Sequence, residues 1–289
     1  MKRALALILA VSFILFSFSA CGKSGPKVNG DKTDYQVYTY FCDKAENDES
    51  TAKNMLARYV AVNSEFKNRE LSLTDTQKAE ISQSTSDLWH LYGAYYENLG
   101  ISKQTIYKIE TSKAYENSLL AFYYGEKGEK PISEEELKAY FNEHYAAIRF
   151  VTGYLFNVDE NGATTPFTEE QKTSAVNLYN SVASMVNNGT AIEEAVGALG
   201  ENTEVHDTVV NSFSEGSFPT GFFNAVKAIE VGKTGAVTLQ NYVFLIKRED
   251  VFSEEYGYFE AYRSQCLKNM KGEEFNKVIE GWASAYIAE

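Results

Sequence analysis

The sequence predicts an α+β fold, a mainly helical body with a small α+β unit inserted before the chain returns to helix. Three observations predict it. Thr74-Asp75-Thr76-Gln77 and Ser133-Glu134-Glu135-Glu136 have the form of capping boxes and open segments whose apolar residues recur at helical spacing. From Ile148 the texture changes to alternation and short apolar runs broken by turn residues. From Ser253 to the end the helical period returns.

Composition narrows the function. The chain has 289 residues, with 40 Asp and Glu against 27 Lys and Arg, a formal charge of -13. That sign disfavours phosphate backbones, so no nucleic acid is expected as a partner. Aromatics at 14% and charged residues at 23% describe a chain that folds. The three histidines, His90, His144 and His206, fall in different segments without ligand spacing, so no metal and no cofactor is expected. The acidic clusters Asp43 to Glu49 and Asp159-Glu160 lack the spacing of a calcium loop and read as solvated loops. No nucleophile elbow or glycine-rich phosphate loop occurs.

In chain order, residues 1–20 read as a signal peptide: Met1-Lys2-Arg3 is basic and an apolar run from Ala4 to Phe18 follows. The competing reading is a retained membrane helix, since the 19 residues from Ala4 to Gly22 are uncharged. Removing residues 1–20 takes away Lys2 and Arg3 and moves the charge from -13 to -15. Residues 21–27, with Gly22-Lys23-Ser24-Gly25-Pro26, form a tether. Tyr35 to Cys42 is ambiguous between strand and helix. Ser50 is the expected cap of a helix carrying Leu56, Tyr59, Val60 and Phe66. The box at Thr74 opens a long helix through Leu88, Leu91, Tyr92 and Tyr95, ending near Gly100. Ser102 opens another, through Ile106, Ile109, Tyr115, Leu119 and Phe122. A helix with Leu137, Tyr140 and Phe141 on one stripe closes the body, so residues 31 to about 147 read as all-α.

The inserted unit then reads β-α-α-β-α-β-β: a strand at Arg149 to Phe156, a helix opened by the box Thr168-Glu169-Glu170-Gln171, and a short helix from Ala191 to Leu199. A β-rich piece from Glu204 to Val210, a helix near Thr220 to Ile229, and strands at Ala236-Leu239 and Tyr242-Arg248 complete it. The last helical segment offers Tyr258, Tyr262, Cys266, Phe275, Ile279, Trp282 and Tyr286 for packing.

Several of these segments resemble one family. Val28-Asn29-Gly30 is similar to its opening strand, Leu99-Gly100-Ile101-Ser102 to its helix–turn–helix join, and Ile132 through Phe141 to its lead-in to the second domain. Phe218-Pro219-Thr220-Gly221-Phe222-Phe223-Asn224-Ala225, Gly232, and Phe244-Leu245-Ile246-Lys247 resemble its closing half. The family is that of extracytoplasmic foldases built from a SurA-type helical chaperone domain and a parvulin-type (PpiC-type) prolyl isomerase domain, PrsA-like when lipidated. Phe18-Ser19-Ala20-Cys21 similarly resembles a bacterial lipobox, which implies a lipid anchor at Cys21 and an extracytoplasmic, membrane-attached protein.

The resemblance implies domains at 28–147 (helical chaperone), 148–252 (parvulin-like) and 253–289 (a helical segment packing back on the chaperone domain). It implies unfolded or secreted polypeptides as partners and leaves the oligomeric state open. It also implies a degenerate isomerase. Prolyl isomerisation faces a barrier of roughly 18–20 kcal/mol, which the family lowers with an apolar cup beside two histidines. Here the positions of those histidines hold Gly153 and Phe244, so no catalytic residue is assigned. His206 is a displaced candidate or a solvated residue. Tyr154, Phe156, Phe218, Phe222 and Phe244 are the implied peptide-binding residues; for Phe218 and Phe222 a role in the core is the equal alternative. Cys42 and Cys266 either meet as a disulfide or remain separate thiols. Three functions stay open: a chaperone with an inactive or weak isomerase, an active isomerase with a rearranged site, and an interaction lipoprotein with one fixed partner.

Overall fold

The computed structural model describes residues 24–200, 203–214 and 216–286. The signal segment 1–20 and Cys21 lie outside the described residues. Among the described residues no helix is long and apolar enough to cross a membrane. The chain is mixed α+β and divides into two compact units, one of residues up to 132 with 267 onward, the other Ser133–Cys266.

The first unit opens with two strands, the first running from within the expected tether to Val28, where the resemblance places an opening strand, and the second at the start of the stretch read as all-α. β1 (Ser24–Val28) and β2 (Asp31–Asp34) form an antiparallel hairpin. Asn29 and Gly30 both take positive φ, +51° and +84°, as a two-residue turn between right-twisted strands requires. The ambiguous segment is helical: α1 spans Tyr35–Lys44, capped by the Asp34 side chain, which accepts from Gln36 N at 2.9 Å. α2 (Glu49–Asn68) is capped by Asp48 and not by the expected Ser50; Asp48 Oδ1 accepts from Thr51 N at 2.7 Å. A carboxylate at this site also complements the helix dipole.

α3 (Asp75–Asn98) carries the expected capping box, Thr74 and Gln77 bonding reciprocally at 3.2 and 2.9 Å. It ends at Gly100, φ +73°, where Gly100 N donates to Glu97 O and Ile101 N to Tyr96 O, both at 2.9 Å. These bonds satisfy carbonyls the helix end leaves over. α4 (Lys103–Tyr123) is capped by Ser102 as expected. Phe66, Leu119, Leu120, Tyr123 and Tyr124 pack with Phe275 and Ile279 of the C-terminal helix, and Val37, Leu56 and Ile109 form a neighbouring cluster. The apolar residues that mark α3 in sequence are not those it buries. Leu91, Tyr92 and Tyr95 of α3 are 69, 51 and 49% exposed, because it is Ile81, Thr85, Gly93 and Tyr96 that α3 buries.

In the second unit α5 (Glu134–His144), capped by Ser133, runs directly into β3 (Tyr145–Tyr154). The strand begins earlier than its sequence pattern suggests. Tyr145, Ala146, Ala147 and Ile148 are all buried, so both faces of this stretch are covered and no alternation marks it. β4 (Phe156–Val158) and β5 (Thr164–Pro166) form a small hairpin that the sequence reading does not contain; Asp159 Oδ1 shapes its loop by accepting from Asn161 N and Ala163 N.

α6 (Glu169–Asn187) carries the second confirmed capping box, Thr168 with Gln171. α7 (Ile192–Ala195) continues as a 3-10 turn to Leu199, followed by β6 (His206–Asn211), α8 (Phe222–Lys227), β7 (Thr234–Leu239) and β8 (Tyr242–Glu249). The four-stranded sheet is antiparallel throughout, in the order β6-β3-β8-β7. One face packs Val151, Leu155, Val243 and Leu245 on Tyr179, Val182 and Ala183 of α6. The other packs Ala146, Ile148, Phe244 and Ile246 on Phe222 and Val226 of α8. α9 (Tyr258–Ala283) closes the chain. Its first residues pack on α5: Phe141 lies between the rings of Tyr145, at 4.5 Å and stacked, and Phe259, at 5.3 Å and edge-on.

Phe141 is fully buried in this cluster. Phe141→Ala removes a large side chain from a packed site and is expected to cost about 3–5 kcal/mol, read as a lower urea midpoint for the unfolding of this unit. A loss under about 1 kcal/mol would contradict the packing described.

Candidate functional site

A cleft of ≈ 790 Å³ opens in the α+β unit, lined by β3, β8, the chain entering β6 and the segment before α8. Its rings come from alternate strand positions. Phe150 and Tyr154 project from β3, Tyr242 and Phe244 from β8, and Phe218 joins them from the loop. Ring centroids lie 5.3 Å apart for Phe150 and Phe218, 6.3 Å for Phe218 and Phe244, 5.9 Å for Tyr242 and Phe244, and 5.7 Å for Tyr154 and Tyr242. The result is a continuous aromatic wall, and Tyr154 is 58% exposed at its end.

The five implied peptide-binding residues divide. Tyr154, Phe218 and Phe244 line the cleft. Phe156 stands beside it, its ring 5.1 Å from Tyr154 and 6.5 Å from Tyr242. Phe222 does not reach the cleft: it is 1% exposed in the core, stacked behind Phe218 at 4.1 Å and 8°. For Phe222 the core role is therefore the one realised. Sequence reasoning passed over Phe150 and Tyr242, although each sits an even number of residues from a named neighbour on its strand and so shares its face.

The two positions that stand for the family's histidines do not face each other. Phe244 points to the α8 side, 2% exposed. Gly153 lies on the α6 side, where a Cβ would overlap the Tyr179 hydroxyl and come within 2.9 Å of Val243 Cγ1. The residue opposite Phe244 in the ladder is Thr152. Position 153 thus has no space for an imidazole. His206 does line the cleft, its ring 5.5 Å from Phe150. His90 lies exposed on α3, and His144 closes α5 with Nδ1 2.9 Å from Ser212 Oγ. Among the described residues no three His, Cys, Asp or Glu side chains gather as a metal site would require.

Cys42 and Cys266 are free thiols. Cys42 lies on α1, half-buried and bonded to the Tyr38 hydroxyl. Cys266 is buried on α9 with Sγ 3.8 Å from Leu137 O, and burial pushes its thiol up to about 11. The thiolate is the reactive form, so at pH 8 Cys266 is nearly all protonated and inert. The helical unit holds a smaller hollow of ≈ 240 Å³. Its rim cations Lys44, Arg58 and Lys113 are already paired with Asp43, Glu116 and Glu110 at 3.4, 2.8 and 2.7 Å.

No protein-family model matches the chain, and no curated protein matches it by sequence. Among solved structures the chain is similar to the foldase protein PrsA from Streptococcus pneumoniae str. Canada MDR_19A, at 12% identity over 91% of this chain and 93% of that one, with TM-score 0.43. It is similar also to foldase protein PrsA from Lactococcus lactis, at 11% identity over 91 and 90% with TM-score 0.40, and to PrsA from Bacillus subtilis, at 12% over 90 and 88% with TM-score 0.35.

The thiol environments give a direct test. In a Cys21→Ala chain at pH 8, a disulfide-exchange reagent is expected to modify Cys42 in the native state and Cys266 only after unfolding. Intact mass without reductant should show no loss of the two thiol hydrogens; such a loss would establish a bridge.

Proposed function

We propose that the protein is a membrane-anchored extracytoplasmic chaperone of the foldase type, which binds unfolded or secreted polypeptides and whose parvulin-like unit (148–252) isomerises proline weakly or not at all. The observation that carries this reading is the cleft walled by Phe150, Tyr154, Phe218, Tyr242 and Phe244. Rings on one wall of an open cleft suit extended apolar segments and need no covalent chemistry. The lipobox-like Cys21 supports an anchor, and the signal-like segment supports an address outside the cytoplasm. Gly153 and Phe244 at the family's histidine positions support weak or absent isomerisation.

The exposed stripe Leu91, Tyr92 and Tyr95 on α3 supports a second holding surface in the helical domain (28–147, with 253–289). An exposed apolar stripe is costly for a lone soluble unit and marks a place where partners bind. The charge of -15 left once residues 1–20 are removed keeps such a protein dispersed and suits cationic unfolded segments.

A second reading rests on His206, which shares the cleft with Phe150 and Phe218: an isomerase with a rearranged site. Two assays run side by side separate the readings. The chain should suppress aggregation of a reduced, unfolded protein, and Tyr154→Ala with Phe218→Ala should weaken that suppression several-fold. It should leave a proline-limited refolding phase nearly unchanged. Acceleration of that phase comparable to an active parvulin, lost in His206→Ala, would favour the isomerase. Tight binding to one partner with no suppression would favour an interaction lipoprotein.

A further inference from the structure

The cleft crosses an open strand edge. β6 accompanies β3 only from Tyr145↔Asn211 to Phe150↔His206, whereas β8 accompanies it on to Tyr154↔Tyr242. Past Phe150, β3 has a strand neighbour on one side only among the described residues. In an antiparallel ladder the N–H and C=O of one residue point to the same neighbour, and successive residues alternate sides. Ser212 N donates to His144 O at 2.9 Å, so even-numbered residues of β3 face the β6 side. Leu155 N donates to Asn241 O at 2.8 Å, so odd-numbered residues face β8. Thr152 and Tyr154 therefore aim their amides and carbonyls into the space that β6 leaves after His206.

The lining of the cleft points the same way. Phe150, Thr152, Tyr154 and Phe244 belong to the α8 face of the sheet; Val151, Tyr179 and Leu199 belong to the α6 face. One cleft touches both faces of a sheet only by passing over its edge. Its charge is also one-sided. Among the described lining residues Glu204 is the one carboxylate, and none is a Lys or Arg.

We propose that the occupant is an extended segment of apolar and cationic residues, which adds to Val151–Tyr154 as a strand in line with β6. Thr152 and Tyr154 hold its backbone. Its side chains alternate between the aromatic wall and the Tyr179 and Leu199 side, and its Lys or Arg residues meet Glu204 and the faces of the rings. At about 3.3 Å per residue, four strand positions engage about 13 Å of client. This mode rests on the peptide-binding reading above and deepens it: recognition runs through backbone groups that every segment has.

The test uses the full chain and a synthetic ten-residue peptide alternating Leu with Lys, alongside the same peptide with its central amides replaced by esters. The esters keep the side chains and remove backbone donors. The ester peptide is expected to bind about tenfold more weakly, the worth of one to two net backbone hydrogen bonds. Thr152→Pro removes the outward amide and blocks the edge while leaving the ladder to β8 intact, as proline on a free edge does. In that variant the amide peptide should weaken by a similar factor, and the difference between the two peptides should vanish. Equal binding of amide and ester peptides to the unaltered chain, with both weakened by Phe218→Ala, would overturn strand addition and leave cleft binding standing. Failure of the amide peptide to bind, or binding insensitive to Phe218→Ala, would overturn both. Should Thr152→Pro lose the native circular dichroism, the comparison of the two peptides on the unaltered chain decides alone.

Discussion

The pairing of β3 with β8 decides where every side chain of the α+β unit lands. It runs unbroken from Ala147↔Glu249 to Tyr154↔Tyr242. A slip of one residue would exchange the two faces, sending Phe150 and Tyr154 towards α6 and Val151 towards α8. One end of the ladder is tied by Leu155 N, which bonds Asn241 O at 2.8 Å; on the other flank of β8, Gly232 N bonds Arg248 O at 2.7 Å and Arg248 N bonds Lys233 O at 3.0 Å, which fixes β8 to the chain entering β7. Between them Gly153 admits Tyr179 against the strand, a contact that a one-residue shift would fill with a side chain. Once this register is set, the aromatic wall, the buried α6 face and the outward groups of Thr152 and Tyr154 follow from parity alone.

The wall itself depends on a second rank of rings. Phe222 stacks on Phe218 and meets Phe244 edge-on at 4.9 Å, both buried. An aromatic ring left against water collapses onto whatever apolar surface it can reach; here that surface is already filled. Phe218 is thus held at the mouth of the cleft, and Tyr242 and Tyr154 extend the row outward through rings 5.7 Å apart. The same arithmetic of burial explains why Phe222 reads ambiguously from sequence. Its neighbour Phe218 is functional on the proposed reading because Phe222 is structural.

What sequence made legible was whatever depends on a few adjacent residues. The boxes at Thr74 and Thr168 and the caps at Ser102 and Ser133 formed where their local chemistry places them. So did the strand Tyr242–Glu249, bounded by turn residues. What failed depended on distant partners. Tyr145 to Ile148 shows no strand period because both of its faces are covered. Leu91, Tyr92 and Tyr95 show a perfect helical period and remain exposed, since period tells which residues share a face and not whether another element meets it. The side on which Gly153 stands, and hence its separation from Phe244, is a matter of register. Phe150, Tyr242 and His206 joined the site for the same reason.

The two exposed apolar surfaces, each in its own unit, present different groups. The α3 stripe presents side chains only, its backbone being spent on the helix ladder, so on the proposed reading it would distinguish segments by apolar content. Tyr95 also gives its hydroxyl to Asp43, which fixes one ring of that stripe in place. The cleft presents rings and, past Phe150, backbone groups. Backbone groups do not discriminate by sequence, but they do discriminate by conformation: a segment already paired in a sheet or wound in a helix has none to offer. On the proposed reading the cleft therefore selects chains that are extended and not yet folded, while its rings and Glu204 weight that selection towards apolar and cationic stretches. On the same reading a client would leave when its own partners compete for the same backbone groups, which would couple release to folding without any chemical step.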